Sequence, residues 1–261
     1  MLEIKDLTIQ YGDKPPVVEN FSLSLKKGEI ITIVGESGSG KSTVLSSILG
    51  LLPNGGKIIS GDIIYNGESM LSKSLNQWRE LRGTEITMIS QDSGGTLNPI
   101  RKIGKQFVEY IQTHSKMSVK EAEEKAEDMF SKVNLPDPEI IMKSYPHQLS
   151  GGMKQRVGIA MALTFHPKII LADEPTSALD VITQAQIVKE IMDLRKKFDT
   201  SIIMVTHNLG VAAYISDKII VMQNGKIVDA GNKNEVIENP KSDYTKKLLA
   251  AVPEIGGERL V

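Results

Sequence analysis

The sequence predicts an α/β fold: a mainly parallel sheet, an antiparallel β lobe near the N-terminus, and an inserted α-helical subdomain. Three observations predict it. Short, mostly apolar runs at Ile30 to Val34, Lys168 to Ala172, Ser201 to Val205 and Lys218 to Met222 suit strands buried on both faces. Helical sequence separates the second run from the third, and strand–helix–strand alternation implies parallel strands joined by right-handed crossovers. From about Asn98 to Phe165 the pattern becomes helical, so this block interrupts the strand pattern.

The elements follow in order. The first 25 or so residues alternate as strands do, with Leu2 and Ile4, Leu7 and Ile9, then Phe21, Leu23 and Leu25 spaced by serines. Gly28-Glu29 punctuates before the buried run Ile30 to Val34. A helix is expected from about Lys41 to Leu52, ended by Pro53-Asn54-Gly55-Gly56. Strand character resumes from Ile58 to Tyr65, and Asn66-Gly67 marks a tight turn. In the helical block, Ser118-Val119-Lys120-Glu121 has capping-box spacing. Val119, Ala122, Ala126, Met129, Phe130 and Val133 then form one apolar stripe, expected to pack in the core. A further helix spans about Thr183 to Lys197, and Asn224-Gly225 turns a hairpin near the end of the strands. The expected organisation is a single domain: 1–97 and 166–240 as catalytic core and β lobe, 98–165 as the inserted helical subdomain, and 241–261 as a C-terminal tail.

A chain of 261 residues can bury a sizeable core. Its formal net charge of −1 argues against a nucleic-acid binder, which would need a basic surface. It has no cysteine, which excludes disulfides and thiolate metal sites. Met1-Leu2-Glu3-Ile4-Lys5-Asp6 carries charges where a secretory signal needs an apolar run. No apolar stretch approaches the roughly 20 residues that span a bilayer, so any membrane role is expected to come through a partner.

Gly35-Glu36-Ser37-Gly38-Ser39-Gly40-Lys41-Ser42 satisfies G-x-x-x-x-G-K-[ST], with a buried strand before it and a helix after it. Glycines let backbone N–H groups converge on phosphate oxygens, and the helix N-terminus adds its dipole. Lys41 is expected to reach the β- and γ-phosphates of ATP, and the Ser42 hydroxyl to ligate Mg²⁺. The core is thus expected to be that of a P-loop NTPase. Ile169-Ile170-Leu171-Ala172-Asp173-Glu174 is an apolar strand ending in two acids: Asp173 is placed to hold Mg²⁺, and Glu174 to polarise the attacking water. A second glycine-rich stretch, Leu149-Ser150-Gly151-Gly152-Met153, resembles an anion contact at a helix start, with Ser150 able to cap a helix beginning near Met153.

Residue by residue, the chain resembles the ATP-binding subunits of ABC transporters from end to end. Leu149 to Met153, followed by Lys154-Gln155-Arg156, is similar to the family signature. In that family, the signature is supplied across a head-to-tail dimer to ATP bound by the other copy. The resemblance implies that Ser150, Gly151 and Gly152 contact ATP held by a partner, alongside Gly35 to Ser42 and Thr43 in the loop itself. It implies that Tyr11 stacks on adenine and that Gln91 links Mg²⁺ and the attacking water to the helical block. It also implies that Ser177-Ala178-Leu179-Asp180 lets the two copies sense each other, and that His207 contacts the γ-phosphate.

The subfamily resembled is that of bacterial oligopeptide, dipeptide and nickel importers. The residues are Gln91-Asp92 with Leu97-Asn98-Pro99, Tyr145-Pro146-His147-Gln148, Ala178-Leu179-Asp180-Val181, and a tail from Asn239 to Thr245 with Leu248 to Pro253. Such an importer implies a homodimer or a heterodimer with a homologous ATPase, two transmembrane permease subunits, and an extracellular substrate-binding protein reached indirectly. It places the chain on the cytoplasmic face of the membrane. The chain lacks the cysteine-rich extension of long members and so resembles the short, nickel- or metallophore-type ones. Two departures stand out: Ser93-Gly94-Gly95 replaces a proline-methionine-threonine-like stretch, and Asn208 follows His207 where aspartate is usual. The rival readings are a soluble ABC ATPase of DNA repair or ribosomes, and an exporter ATPase.

Overall fold

The structure, a computed structural model, describes residues 1–177 and 179–252, with the backbone of 254–255 and 258–259. The chain forms two compact units: Met1–Trp78 with Ser201–Val261, and Arg79–Thr200.

The first unit opens with β1 (Leu2–Tyr11), β2 (Val18–Leu25), β3 (Ile30–Val34), α1 (Lys41–Ile48), β4 (Gly56–Tyr65), β5 (Glu68–Ser69) and the start of α2 (Leu75–Leu81). β2, β1, β4 and β5 make an antiparallel sheet in that order. Leu2, Ile4, Leu7 and Ile9 are all buried, although strict alternation would turn Leu7 away from the face of Ile4. A bulge resolves the conflict. The β1–β2 register shifts between Ile4 and Leu7, and Asp6 takes a left-handed φ of 46°. Opposite it, Gly61 on β4 has φ +88°, and a Cβ there would lie 2.4 Å from the Lys5 carbonyl oxygen, so only glycine fits.

α1 is shorter than its sequence suggests. It ends at Ile48 because Gly50 turns left-handed (φ +61°), and the Gly50 and Leu51 N–H groups donate to the Ser47 and Ser46 carbonyls. That is a Schellman stop, and a Cβ at Gly50 would meet the Trp78 ring at 2.7 Å.

The second unit follows in sequence: β6 (Ile86–Ile89), α3 (Ser93–Thr96), α4 (Ile103–His114), α5 (Val119–Lys132), α6 (Pro138–Lys143), a 3-10 turn (Pro146–Gln148), α7 (Gly151–Leu163), β7 (Ile169–Asp173) and α8 (Val181–Phe198). β6 and β7 run parallel. Among the helices the capping box of α5 forms as the spacing predicts, Ser118 Oγ accepting from the Glu121 N–H and Glu121 from the Ser118 N–H. Its stripe packs through Ala122, Ala126, Met129, Phe130 and Val133, with the Phe107 and Phe130 rings 5.2 Å apart. Val119 is the exception. At the first turn it is 55% exposed, lining an open cleft with Val108 and Gln112 of α4.

The chain then returns to the first unit with β8 (Ser201–Thr206), α9 (Leu209–Ile215), β9 (Lys218–Gln223), β10 (Lys226–Asn232), α10 (Lys233–Glu238) and α11 (Asp243–Ala250). β3 pairs parallel with both β8 and β9, and β10 closes antiparallel on β9 through Asn224-Gly225, both left-handed as a two-residue hairpin turn requires. Every residue of β3 and β8 is buried, which accounts for their mostly apolar sequence. No helix among the described residues is long and apolar enough to cross a membrane.

Candidate functional site

In the first unit the segment Gly35 to Gly40 joins β3 to α1. Gly38 and Gly40 take φ values of +82° and +99° that other residues rarely adopt, and a Cβ at Gly38 would meet nothing within 4 Å. That side of the loop is open for an incoming group. A Cβ at Gly35, by contrast, would lie 2.2 Å from the Met222 carbonyl oxygen, so the loop can pass β9 only with glycine there. Gly40 caps α1 without a side chain, so no side chain satisfies the first N–H groups of the helix in competition with an anion.

Lys41 is 5% exposed, and its ammonium folds onto the loop, donating to the carbonyls of Gly35 (2.8 Å) and Glu36 (2.7 Å). The loop is buttressed from outside: the Gly225 N–H of the β9–β10 hairpin donates to the Ser39 carbonyl, and the Glu19 N–H of β2 donates to that of Gly225. Ser42 is exposed and Thr43 half-buried on the first turn of α1; Glu36 and Ser37 are exposed on the loop.

Two further predicted residues lie in this unit. Tyr11 ends β1 opposite Gly56, and its ring lies so close that a Cβ at Gly56 would be 2.6 Å from it. His207 is exposed just past β8. Asn208 after it caps α9, its side chain accepting from the Val211 N–H at 3.2 Å. Asparagine and aspartate are equally good caps, so this departure preserves the local structure.

The second unit carries Gln91, Ser150, Gly151, Gly152, Asp173 and Glu174. Asp173 ends β7, half-buried. Glu174 takes a left-handed φ of 43° immediately before Pro175, a conformation that costs a non-glycine residue of order 1 kcal/mol and recurs where function demands it. The Ser177 N–H and Oγ both donate to the Glu174 carbonyl at 3.2 Å, holding that turn. Gln91 follows β6 and brings its Nε2 to 3.5 Å from Glu174 Oε2.

Ser150 caps α7 as its position predicts, accepting from the Met153 N–H at 3.3 Å. A Cβ at Gly151 would touch only Leu179, at 3.4 Å, whereas one at Gly152 would come within 2.9 Å of Thr183. Asp180 caps α8 through the Thr183 N–H and hydroxyl, and those bonds hold its carboxyl below the usual range.

The departure at Ser93-Gly94-Gly95 has a packing reason. Asp92 caps α3 by accepting from the Gly95 N–H at 2.9 Å, and α3 lies against α7. A Cβ at Gly158 of α7 would fall 2.5 Å from Ser93 Oγ, and one at Gly94 would meet the Lys154 side chain at 2.8 Å. Small residues on both helices allow the approach.

The support that Gly225 gives Ser39, and the close approach of Ser93 to Gly158, are invisible to motif reading, because these contacts join distant parts of the chain. Glu174 was legible as the second acid at the end of its apolar strand, but its left-handed turn was not, since a following proline favours extended backbone.

Comparison with known proteins adds the following. A family model described as ABC transporter matches residues 18–177. The oligopeptide transport ATP-binding protein OppD of Bacillus subtilis is 44% identical over 259 residues, 98% of this chain and 72% of that protein. The metal-staphylopine import system ATP-binding protein CntD of Staphylococcus aureus is 41% identical over 258 residues, covering 98% and 94%. Among solved structures, a dimeric post-hydrolysis state of the ATP-binding cassette MJ0796 bound to ADP and Pi superposes with a TM-score of 0.77 at 29% identity, covering 89% of this chain and 99% of that one. CbiO1 from Clostridium perfringens, part of the transporter complex cbiONQ, superposes at 0.78 with 27% identity, covering 91% and 90%.

Proposed function

This chain belongs to the ABC transporter family of ATP-binding proteins, and on that premise we propose that it is the ATPase of a bacterial importer for peptides or a metal chelate. The observation that carries the reading is the presence, in one chain, of two separate backbone devices for phosphate. One is the open loop closing on Lys41; the other is the Ser150-capped helix with glycines at its first two positions. Similarity to peptide and metal-staphylopine import proteins over 98% of the chain supports the direction and substrate class.

Gly35 to Thr43 bind the phosphates of ATP, with Lys41 leaving its two carbonyls for the β- and γ-oxygens, and Tyr11 stacks on adenine. Ser150, Gly151 and Gly152 close on ATP held by a partner, either a second copy or a homologous ATPase. Hydrolysis requires water to attack the γ-phosphorus as the bond to the bridging oxygen of ADP breaks. Glu174 accepts the hydrogen bond that polarises the water, and His207 completes the γ-phosphate contacts. The Ser42 hydroxyl, the Gln91 amide oxygen and the Asp173 carboxylate are all hard oxygen donors, the set that suits Mg²⁺. Bound there, Mg²⁺ would neutralise charge on the phosphates.

Closure of the ATPase pair is passed through the segment Gln91 to Pro99 to two membrane-spanning subunits, which keeps this chain peripheral on the cytoplasmic face. The test is purification from detergent-solubilised membranes of its native host. Recovery with two membrane subunits and ATP-dependent uptake in vesicles is the expected result. Recovery with ribosomes or DNA instead would overturn the importer reading.

A further inference from the structure

We propose that Tyr244, in the C-terminal tail, is a positioning residue for the phosphate loop, so that the tail helix sets the loop's affinity for ATP. The inference rests on the reading of Gly35 to Ser42 as the ATP loop. Its ground is one hydrogen bond: the Tyr244 phenol oxygen accepts from the Glu36 N–H at 2.9 Å, across 208 residues of sequence.

The bond is placed where it matters. The Glu36 N–H and the Gly35 carbonyl are two ends of the same peptide group, and that carbonyl accepts from Lys41 Nζ at 2.8 Å. Tyr244, one peptide of the loop and Lys41 therefore form a continuous hydrogen-bonded chain, in which each bond polarises the next. Binding phosphate requires the Lys41 ammonium to give up the carbonyls it now holds. The peptide it leaves is still gripped at its other end by the phenol, which keeps it in orientation.

The tail is built to deliver that hydroxyl. Asp229 of β10, itself buried, accepts from the N–H groups of Lys241 (2.8 Å) and Ser242 (3.3 Å), fixing the chain just before α11. Ser242 then caps α11 by accepting from the Thr245 N–H at 3.1 Å. Leu249, with Leu248 and Val252, packs into a cluster containing Val34, Val221 and Val236. Val34 is the last residue of β3, directly before the loop, so α11 is seated beside the loop's root and Tyr244 reaches its second residue. Partial burial and the neighbouring Glu36 carboxylate push the phenol's pKa up while the Glu36 N–H pulls it down, so near neutral pH it stays a neutral acceptor.

The test uses the full chain and its Tyr244→Phe variant, which removes the oxygen and keeps the ring in its cluster. MgATP affinity by titration calorimetry and exchange of the Glu36 amide are measured on both. We expect Y244F to bind ATP roughly three- to tenfold more weakly, as loss of one net hydrogen bond gives, and its Glu36 N–H to exchange faster by a similar factor. The Lys241 and Ser242 amides held by Asp229 should exchange unchanged, which separates positioning of the loop from loosening of the tail. Unchanged ATP affinity in Y244F overturns the proposal, whether or not Glu36 exchange accelerates. A wild-type chain that binds no ATP overturns the loop reading and this proposal with it. Should Y244F fail to fold, wild-type exchange decides: ATP must protect Glu36 and the first turn of α11 together, and protection of the loop alone contradicts the proposal.

Discussion

Gln91 Nε2 lies 3.5 Å from Glu174 Oε2, although 83 residues separate them. Both follow the ends of parallel neighbours, β6 and β7, so strand pairing within the unit brings amide and carboxylate together. At that length the bond is weak and breakable, suited to a glutamine that exchanges partners during turnover. Gln91→Ala is expected to lower the ATP hydrolysis rate about tenfold or more while changing stability by no more than ~0.5 kcal/mol, since Gln91 is exposed. Steady-state kinetics beside a urea titration checks both halves.

Ser150→Ala removes the cap of α7, which costs about 1 kcal/mol of stability. The same change is expected to depress hydrolysis far more than a 1 kcal/mol loss explains, with the ATP affinity of the monomer unaltered. A large fall in monomer affinity would place Ser150 on the chain's own nucleotide rather than the partner's.

Ile100 is 82% exposed, in a turn held by Gln106, whose amide accepts from the Asn98 N–H and donates to the Asn98 and Arg101 carbonyls. An exposed isoleucine on so firmly held a turn fits a contact with the membrane subunits. Ile100→Asp should leave folding and ATP binding intact and abolish ATP-driven uptake in reconstituted vesicles.

Gly158→Ala sets two effects against each other. Alanine favours the helix by about 1 kcal/mol, but its methyl would overlap both Oγ and Cβ of buried Ser93, and overpacking costs ~1–3 kcal/mol. Because Ser93 is 2% exposed and its Cβ cannot rotate away, the clash wins, and a net loss of about 1–2 kcal/mol is expected in denaturant titration. Adding Ser93→Gly should recover most of it.

Tyr110 donates its hydroxyl to the Gly83 carbonyl at 2.9 Å, and burial pushes its pKa up to about 12. The folded state therefore favours the neutral phenol more than the unfolded chain does. That contribution is whole below the ordinary tyrosine pKa near 10 and is lost as pH rises from about 10 towards 12. Thermal unfolding of the wild type should show this alkaline loss, and Tyr110→Phe should flatten it.

Local features were legible wherever a residue type determined its own neighbourhood. The Asn-Gly hairpins, the capping box at Ser118, the buried run of β3 and the loop from Gly35 to Ser42 all form where spacing predicts. The failures lie in tertiary packing. α1 stops early where Gly50 turns left-handed against the Trp78 ring, and Val119 lines an open cleft with Val108 and Gln112 of α4 instead of packing in the core. Tyr244 stood in a tail whose sequence gave no sign that it reaches Glu36, because only the packing of α11 beside β3 brings them together.

If Glu174 polarises the water that attacks ATP, Glu174→Gln removes that function. The substitution keeps shape and removes charge. Hydrolysis of MgATP should fall by roughly 10²- to 10⁴-fold while ATP affinity stays within about twofold of wild type, and the variant should accumulate as an ATP-bound dimer. Hydrolysis at the wild-type rate would contradict the account.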